Sequence, residues 1–261
     1  MLLLKKCKMS LKTWFGYLVP YLYVATRPNY PEALFQEIVN RVPLPHNRAL
    51  DLGAGTGLST LPLCPWFNQV IAVEPNEGMA ANLRNLSPKI EVRQCSIEDF
   101  RETPESIDLI TLGNTLYWLD GSVVEEKVLN WLRQEGILAV YRYGVPRLPE
   151  SIQGILDTEL TEHWHSFRHP RLLDEDYSRR FITQQSGLKA IEVLTVPHLI
   201  FWGTQQLIGY FCSTSYCSAY LKTLANPKEY VADLESKIND TIGYSPFPVD
   251  FSLELIIAQK T

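Results

Sequence analysis

Arg48-Ala49-Leu50-Asp51-Leu52-Gly53-Ala54-Gly55-Thr56-Gly57-Leu58-Ser59 decides the fold. Arg48 to Leu52 reads as a short buried strand that runs into a glycine turn and a helix start near Gly57. Gly53 and Gly55 can take φ > 0 and carry no Cβ, so backbone N–H groups can come close to a ligand. The free N–H groups of a helix start would point at the same place. Asp51 sits two residues before the first glycine. A pyrophosphate cradle has no use for a carboxylate there, whereas a ligand with a cationic group does.

Outward from this turn the chain alternates. The spacing predicts a helix over Glu32 to Arg41 behind the Arg27-Pro28-Asn29-Tyr30-Pro31 break, with Leu34, Ile38 and Val42 on one face. Strands are expected at Gln69 to Val73, Ile90 to Gln94, Ile107 to Leu112 and Ile137 to Tyr141. Pro62 and Pro65 leave room only for a short or kinked helix after the glycines. Asn76 can cap a helix through Asn85. Gly121 to Gln134 reads as a helix closed by Gly136. Five alternations of strand and helix imply an α/β fold, a doubly wound, Rossmann-like and mostly parallel sheet. Its ligand edge lies at the carboxyl ends of the strands. Asp51 to Gly57, Glu74, Ser96 to Glu98, Asn114 and Tyr143 all fall on that edge.

The second half changes pattern. Glu150 to Leu160, Asp174 to Gln185, Gln205 to Tyr210, Tyr216 to Leu224 and Pro227 to Ile238 look helical. Leu188 to Val196 and Val249 to Ala258 look like strands. The expected organisation is a leader over 1–20, a domain over 21–261, and helical segments near 146–188 and 201–244 that cover the ligand edge. Leu2 to Leu4 precede Lys5, Lys6 and Lys8, the wrong order for a secretory signal, and Met9 is a candidate second start.

The 261 residues carry a formal net charge of −5, which argues against a nucleic-acid binder that relies on phosphate neutralisation. No apolar run reaches the roughly 18–20 residues that span a bilayer, so no membrane partner is expected. The five cysteines form no CxxC pair and stand beside no histidine at metal spacing, as suits free thiols in the reducing cytoplasm. His163, His165 and His169 read as solvated residues, since nothing supplies further ligands; no metal is expected.

Glu74 ends the second strand, twenty-one residues after Gly53. An acid there can accept both ribose hydroxyls of a nucleoside; the plainer reading is a solvated strand-end acid. The glycine spacing then separates cofactors. A dinucleotide site wants G-x-G-x-x-G, whereas here Gly53, Gly55 and Gly57 alternate behind Asp51.

Together these features resemble motif I of the class I S-adenosylmethionine-dependent methyltransferases. The resemblance extends through Val70 to Met79, Ser96-Ile97-Glu98-Asp99, Asp108-Leu109-Ile110-Thr111 and Leu132 to Val140. Within that superfamily the chain is similar to the small-molecule, trans-aconitate-methyltransferase-like group. Arg27-Pro28-Asn29-Tyr30-Pro31, Tyr117-Trp118-Leu119-Asp120 and Phe247-Pro248-Val249-Asp250-Phe251 carry that likeness. The resemblance implies S-adenosylmethionine as cofactor and a seven-stranded sheet. It implies that Asp51 supports the methionine end, that the backbone of Gly53, Ala54 and Gly55 lets the cofactor pass, and that Glu74 holds the ribose. Ile97 and Met79 would flank adenine, Ser96 and Glu98 would lie near its polar edge, and Asn114 near the methionine moiety.

Relatives often place a histidine before the tryptophan where this chain has Tyr117, so a base at that position is missing. Tyr117, Trp118, Tyr143, His198 and Trp202 are candidates to line the acceptor pocket, and Arg27 to meet a carboxylate. As core or lid aromatics the rings would have no such role. The expected function is methyl transfer to a small molecule, at a carboxylate or hydroxyl oxygen. A catalytically silent binding protein of the same fold, or a nicotinamide dehydrogenase, are the alternatives.

Overall fold

The computed structural model describes residues 26–119 and 121–261. Cys7, Lys5 to Lys8, Met9 and the rest of the expected leader lie outside the described residues, as does Asp120. The chain divides into a sheet unit, Pro28–Arg147 with His169–Ile200 and Val249–Thr261, and a helical unit built from Leu148–Arg168 and Phe201–Pro248 together with Arg27. The segment His169–Ile200, which includes the helices Pro170–Leu173 and Tyr177–Thr183, groups with the sheet.

The sheet unit contains strands β1 (Arg48–Leu52), β2 (Gln69–Val73), β3 (Ile90–Arg93), β4 (Ile107–Gly113), β5 (Leu132–Tyr143) and β6 (Leu188–Val196). Two further strands are β7 (Leu199–Trp202) and β8 (Phe247–Asp250), which pair with each other and each carry the chain from one unit to the other. The last is β9 (Leu253–Lys260). The main sheet has seven strands in the order β3-β2-β1-β4-β5-β9-β6. Neighbours are parallel from β3 through β5, and β9 runs antiparallel to both β5 and β6. The order reverses between β1 and β4, where a doubly wound sheet opens a crevice for its ligand.

A parallel sheet covered on both faces calls for near-continuous apolar strands. Ala49, Leu50 and Leu52 of β1, Val70 to Val73 of β2, and Ile107, Leu109, Ile110 and Leu112 of β4 are all buried. Three polar side chains interrupt these strands: Asp51, Asp108 and Thr111. Asp108 is accounted for structurally. One oxygen accepts from the backbone N–H groups of Asn47 (2.9 Å) and Arg48 (2.7 Å), and the other from Arg133 Nε at 2.5 Å. It ties the entry of β1 to the start of β5, at the edge opposite the glycine turn.

Several boundaries differ from expectation for local reasons. No α-helix starts at Gly57. With Pro62 and Pro65 in place, turns and a 3-10 stretch, Leu61–Leu63, connect β1 to β2. Helical turns run from Gly121 to Trp131, and Leu132 already pairs with Ile107. Gly136 is therefore a strand residue and not a helix stop. A Cβ there would lie 2.9 Å from the Arg133 carbonyl oxygen and 3.1 Å from that of Ile107. The last expected strand is broken, because Asp250 Oδ1 accepts from Ser252 N (2.8 Å) and Ser252 Oγ (2.6 Å) in a turn between β8 and β9. Asn76 does cap its helix, Glu77–Leu83, by accepting from Met79 N at 3.1 Å.

The helical unit contains the helices Glu150–Thr158, Thr204–Cys212, Ser215–Leu221 and Pro227–Ile242. Thr214 and Asn226 cap the last two through their side chains. Its centre is Trp164, fully buried, with ring centroids of Phe211 at 5.2 Å and Tyr216 at 5.9 Å. Buried Glu159 accepts the Tyr230 hydroxyl, which in turn accepts from Trp164 Nε1 at 3.1 Å. His163 stacks on Tyr220 at 5.4 Å, so it is packed and not simply solvated. Among the described residues no helix is long and apolar enough to cross a membrane, and no group of three metal-ligating side chains occurs.

Candidate functional site

The glycine turn is held over the end of β2. The N–H groups of Gly53 and Ala54 both donate to the Val73 carbonyl, at 2.9 and 3.0 Å, and Gly57 N donates to Ala54 O at 3.0 Å. All three glycines have positive φ, +70° at Gly53, +57° at Gly55 and +95° at Gly57. Their surroundings differ. A Cβ at Gly53 would come within 2.5 Å of Thr115 Cγ2, and one at Gly57 within 2.4 Å of Leu86 Cδ1. At Gly55 nothing lies within 4 Å. The turn is thus locked against the protein at its two ends and open at its middle, where a ligand can approach the backbone. Thr56, inside the turn, has a buried hydroxyl with no hydrogen-bond partner among the described residues.

This contrast is testable. Gly53→Ala adds a clash to the left-handed penalty of about 1–2 kcal/mol and should lower the melting temperature markedly. Gly55→Ala carries the same backbone penalty without a clash, so its melting temperature should fall less. Its main effect should be a weaker calorimetric signal for the bound nucleoside, because the new methyl fills the open face.

Glu74 stands one strand over, 7 % exposed. Its Oε2 accepts from Gly55 N at 2.9 Å and its Oε1 from Asn76 N at 2.8 Å. The carboxylate is thereby aimed by backbone at the open glycine. Each oxygen keeps further acceptor capacity for hydroxyl donors.

Asp51 is placed differently from a surface acid. It is 1 % exposed. Oδ2 accepts from Thr60 Oγ1 at 2.6 Å and Oδ1 from Thr111 Oγ1 at 2.8 Å. Asp51 and Thr111 are register partners on β1 and β4, which is why the hydroxyl reaches. Burial pushes the Asp51 carboxyl up to about 6, and the Glu74 charge adds to the rise, while the two threonine hydroxyls oppose it. Tyr141, buried beside this group, has its phenol pushed up by burial and by the Asp51 charge.

Asn114 follows β4 with φ +53°, a conformation asparagine tolerates. Its N–H donates to Tyr141 O at 2.8 Å, and its Nδ2 to the Tyr30 hydroxyl at 2.9 Å. Tyr30 packs edge-on against Tyr141 (5.1 Å) and lies 5.8 Å from Tyr143, itself 5.5 Å from Phe251. Tyr143 is thus brought to the same edge as Asn114. So is His198, because Val196 and Tyr143 both pair with Leu253 and His198 follows Val196 by two residues. Burial lowers the proton affinity of His198, the Asn29 backbone and Asp250 oppose this, and Nε2 has no hydrogen-bond partner among the described residues.

The remaining expected residues are less tightly organised. Ile97 is buried in the cluster of Leu52, Ile71 and Val73. Ser96 is engaged with Asp99, its hydroxyl donating to Oδ2 at 2.8 Å. Glu98 is exposed and Met79 half-buried on its helix. Tyr117 lies 5.0 Å from Trp118, which is exposed and 5.4 Å from His169. Arg27 and Trp202 belong to the helical unit, where both lie against Tyr210, at 5.0 and 6.0 Å.

Sequence reasoning missed Thr60, Thr111, Thr115 and Tyr30. A threonine in an otherwise apolar strand, level with the buried acid of its parallel neighbour, was the available signal for Thr111.

The geometry fits S-adenosylmethionine: two carboxylates flank an open glycine turn, and an unpartnered hydroxyl lies within it. Residues 50–140 match a family model described as a methyltransferase domain. A protein of Dictyostelium discoideum described as a methyltransferase is 24 % identical over 250 residues, 91 % of this chain and 92 % of that protein. A Saccharomyces cerevisiae protein described as an S-adenosylmethionine-dependent methyltransferase is 29 % identical over 140 residues, 50 % of this chain and 48 % of its own length. A solved structure from Anaeromyxobacter dehalogenans shares the fold with TM-score 0.72 and 22 % identity, covering 89 % of this chain and 97 % of that one.

Proposed function

We propose that this chain, a class I S-adenosylmethionine-dependent methyltransferase, methylates a small-molecule acceptor at a carboxylate or hydroxyl oxygen, in the manner of the trans-aconitate-methyltransferase-like group. The observation that carries the reading is the turn Gly53 to Gly57, open at Gly55 and flanked by Asp51 and Glu74 at the sheet's point of reversal.

When bound, the cofactor supplies an activated sulfonium methyl, so the protein's task is to align the acceptor and exclude water. Glu74 is assigned to the ribose hydroxyls and the backbone of Gly53, Ala54 and Gly55 to close passage of the cofactor. Asp51 and Asn114 are assigned to the methionine end, Asp51 as a buried charge behind the turn. Ile97 and Met79 are assigned to the adenine faces, with Ser96 and Glu98 at its edge. Tyr117, Trp118, Tyr143 and His198 of the sheet unit are assigned to the acceptor. A carboxylate acceptor needs no base; a hydroxyl does. His198, whose proton affinity burial lowers, is assigned to that task, Tyr117 standing where relatives often place a histidine. A nucleic-acid acceptor fits poorly with a net charge of −5.

Calorimetric titration with S-adenosylhomocysteine tests the reading. Saturable binding is expected. Absence of binding at millimolar ligand would refute it.

A further inference from the structure

The Asp51 carboxyl group sits in a polar island between β1, β4 and β5. Thr60 and Thr111 hold its two oxygens, at 2.6 and 2.8 Å. Its third neighbour is Tyr141. Gly113 and Tyr141 are register partners on β4 and β5, two residues beyond the pair Thr111 and Ala139. The Tyr141 ring and the Ser59 hydroxyl use the space that Gly113 leaves free: a Cβ there would lie 2.7 Å from both Tyr141 Cε2 and Ser59 Oγ. Tyr30 and Phe35 fix the ring from its other sides, edge-on at 5.1 and 6.4 Å. The phenol is thereby kept among Ser59, Thr111 and the charge of Asp51, the groups that act on it.

The Tyr141 hydroxyl is sealed from solvent, and no bond of good geometry gives it a partner among the described residues. Such an orphan is destabilising, and phenylalanine would fill the same space without it. Its proton is uncommitted. Thr111 Oγ1, by contrast, gives its one proton to Asp51 and keeps lone pairs free to accept. A hydroxyl proton turns about its C–O bond without moving the ring. Hydrogen bonds in a chain polarise one another, so a donor behind Thr111 strengthens the bond from Thr111 to a charged carboxylate. Glu74, at the end of β2, acts in the opposite direction by repelling that charge.

We propose that Tyr141 is a positioning residue of the cofactor site: its O–H turns to Thr111 Oγ1, the Thr111 proton stays committed to Asp51, and the carboxylate keeps its charge for the cationic methionine end. This rests on the assignment of Asp51 above and deepens it, adding a residue of β5 that itself touches no ligand.

Tyr141→Phe tests this with two readouts. The first is urea denaturation of the protein without ligand between pH 4 and pH 8. In the parent, stability falls as pH rises from 3.8 to about 6. In the variant the fall should continue about one pH unit further, making the total loss in the folding equilibrium constant about tenfold larger. In a Thr111→Val background the phenol has nothing to donate to, and adding Tyr141→Phe should change the window no further. The second readout is calorimetry with S-adenosylmethionine, whose affinity should begin to decline about one pH unit higher in Tyr141→Phe than in the parent. At pH 4 the variant should melt no lower than the parent. The proposal is overturned if the two proteins share one pH dependence, or if Tyr141→Phe melts well below the parent at pH 4, which would make the hydroxyl a structural bond. It is also overturned if the stability window moves while the pH dependence of nucleoside affinity does not. A shifted window in proteins that bind no nucleoside at millimolar concentration would sink the methyltransferase reading itself, and leave the chain from Tyr141 to Asp51 as a property of the fold.

Discussion

Replacing Glu74 by alanine is expected to weaken binding of S-adenosylhomocysteine by about two orders of magnitude. Two hydrogen bonds from ribose hydroxyls to a carboxylate are worth about 1.5–3 kcal/mol each. The low end of that range, summed over two bonds, is about 3 kcal/mol, or roughly a hundredfold in affinity. Glu74→Gln keeps the shape and one acceptor oxygen, so its loss should be nearer tenfold. The carboxylate has a second task in the protein itself, since it accepts from Gly55 N and Asn76 N. Alanine leaves both N–H groups without that partner, and a drop of about 1–2 kcal/mol in unfolding free energy should accompany it. The two effects separate cleanly by calorimetry at a temperature well below the transition. A Glu74→Ala protein that binds S-adenosylhomocysteine as the parent does would remove the ribose assignment.

The central strands were legible in the sequence because both faces of a parallel sheet demand apolar residues, and Ala49 to Leu52, broken only by Asp51, and Val70 to Val73 supply them. The glycine turn was legible because its backbone needs positive φ, which few other residues adopt. The start of β5 was not. Leu132 to Gly136 carries helix-compatible residues, and only the tertiary pairing of Leu132 with Ile107 ends the helix early. The break at Asp250 depends on one side chain turning back on Ser252, which competes locally with the ladder. The site was half legible. That Asp51 and Glu74 converge on one turn could be read from spacing. That both oxygens of Asp51 are held by threonines could not, because it depends on the register between β1 and β4. The acceptor residues were least legible. Aromatics such as Tyr143 and Tyr210 serve packing as readily as recognition, and their type does not distinguish the two.

Asp51→Asn is expected to stabilise the fold at neutral and alkaline pH while weakening cofactor binding. Burial raises the folded-state carboxyl from an unfolded value of 3.8 to about 6. Between those two values the folded chain holds the proton and the unfolded chain does not, so stability falls as pH rises through the window. Below about pH 4 both states are protonated and no penalty applies. Above about pH 7 the buried charge is present in full, at a cost of about 2–3 kcal/mol by the conversion of 1.36 kcal/mol per pKa unit. Asparagine has nearly the same shape and can bond to the hydroxyls of Thr60 and Thr111 without a charge. Urea denaturation at pH 8 should therefore show the variant more stable by about 2 kcal/mol, with the difference vanishing by pH 4. A buried charge kept at such a cost next to an open glycine turn makes sense if a cationic ligand recovers it. Affinity for S-adenosylmethionine should accordingly decline in the parent as pH falls through about 6, and should be both lower and flat in Asp51→Asn. Equal affinity in the two proteins across that range would mean that the carboxylate serves the sheet alone.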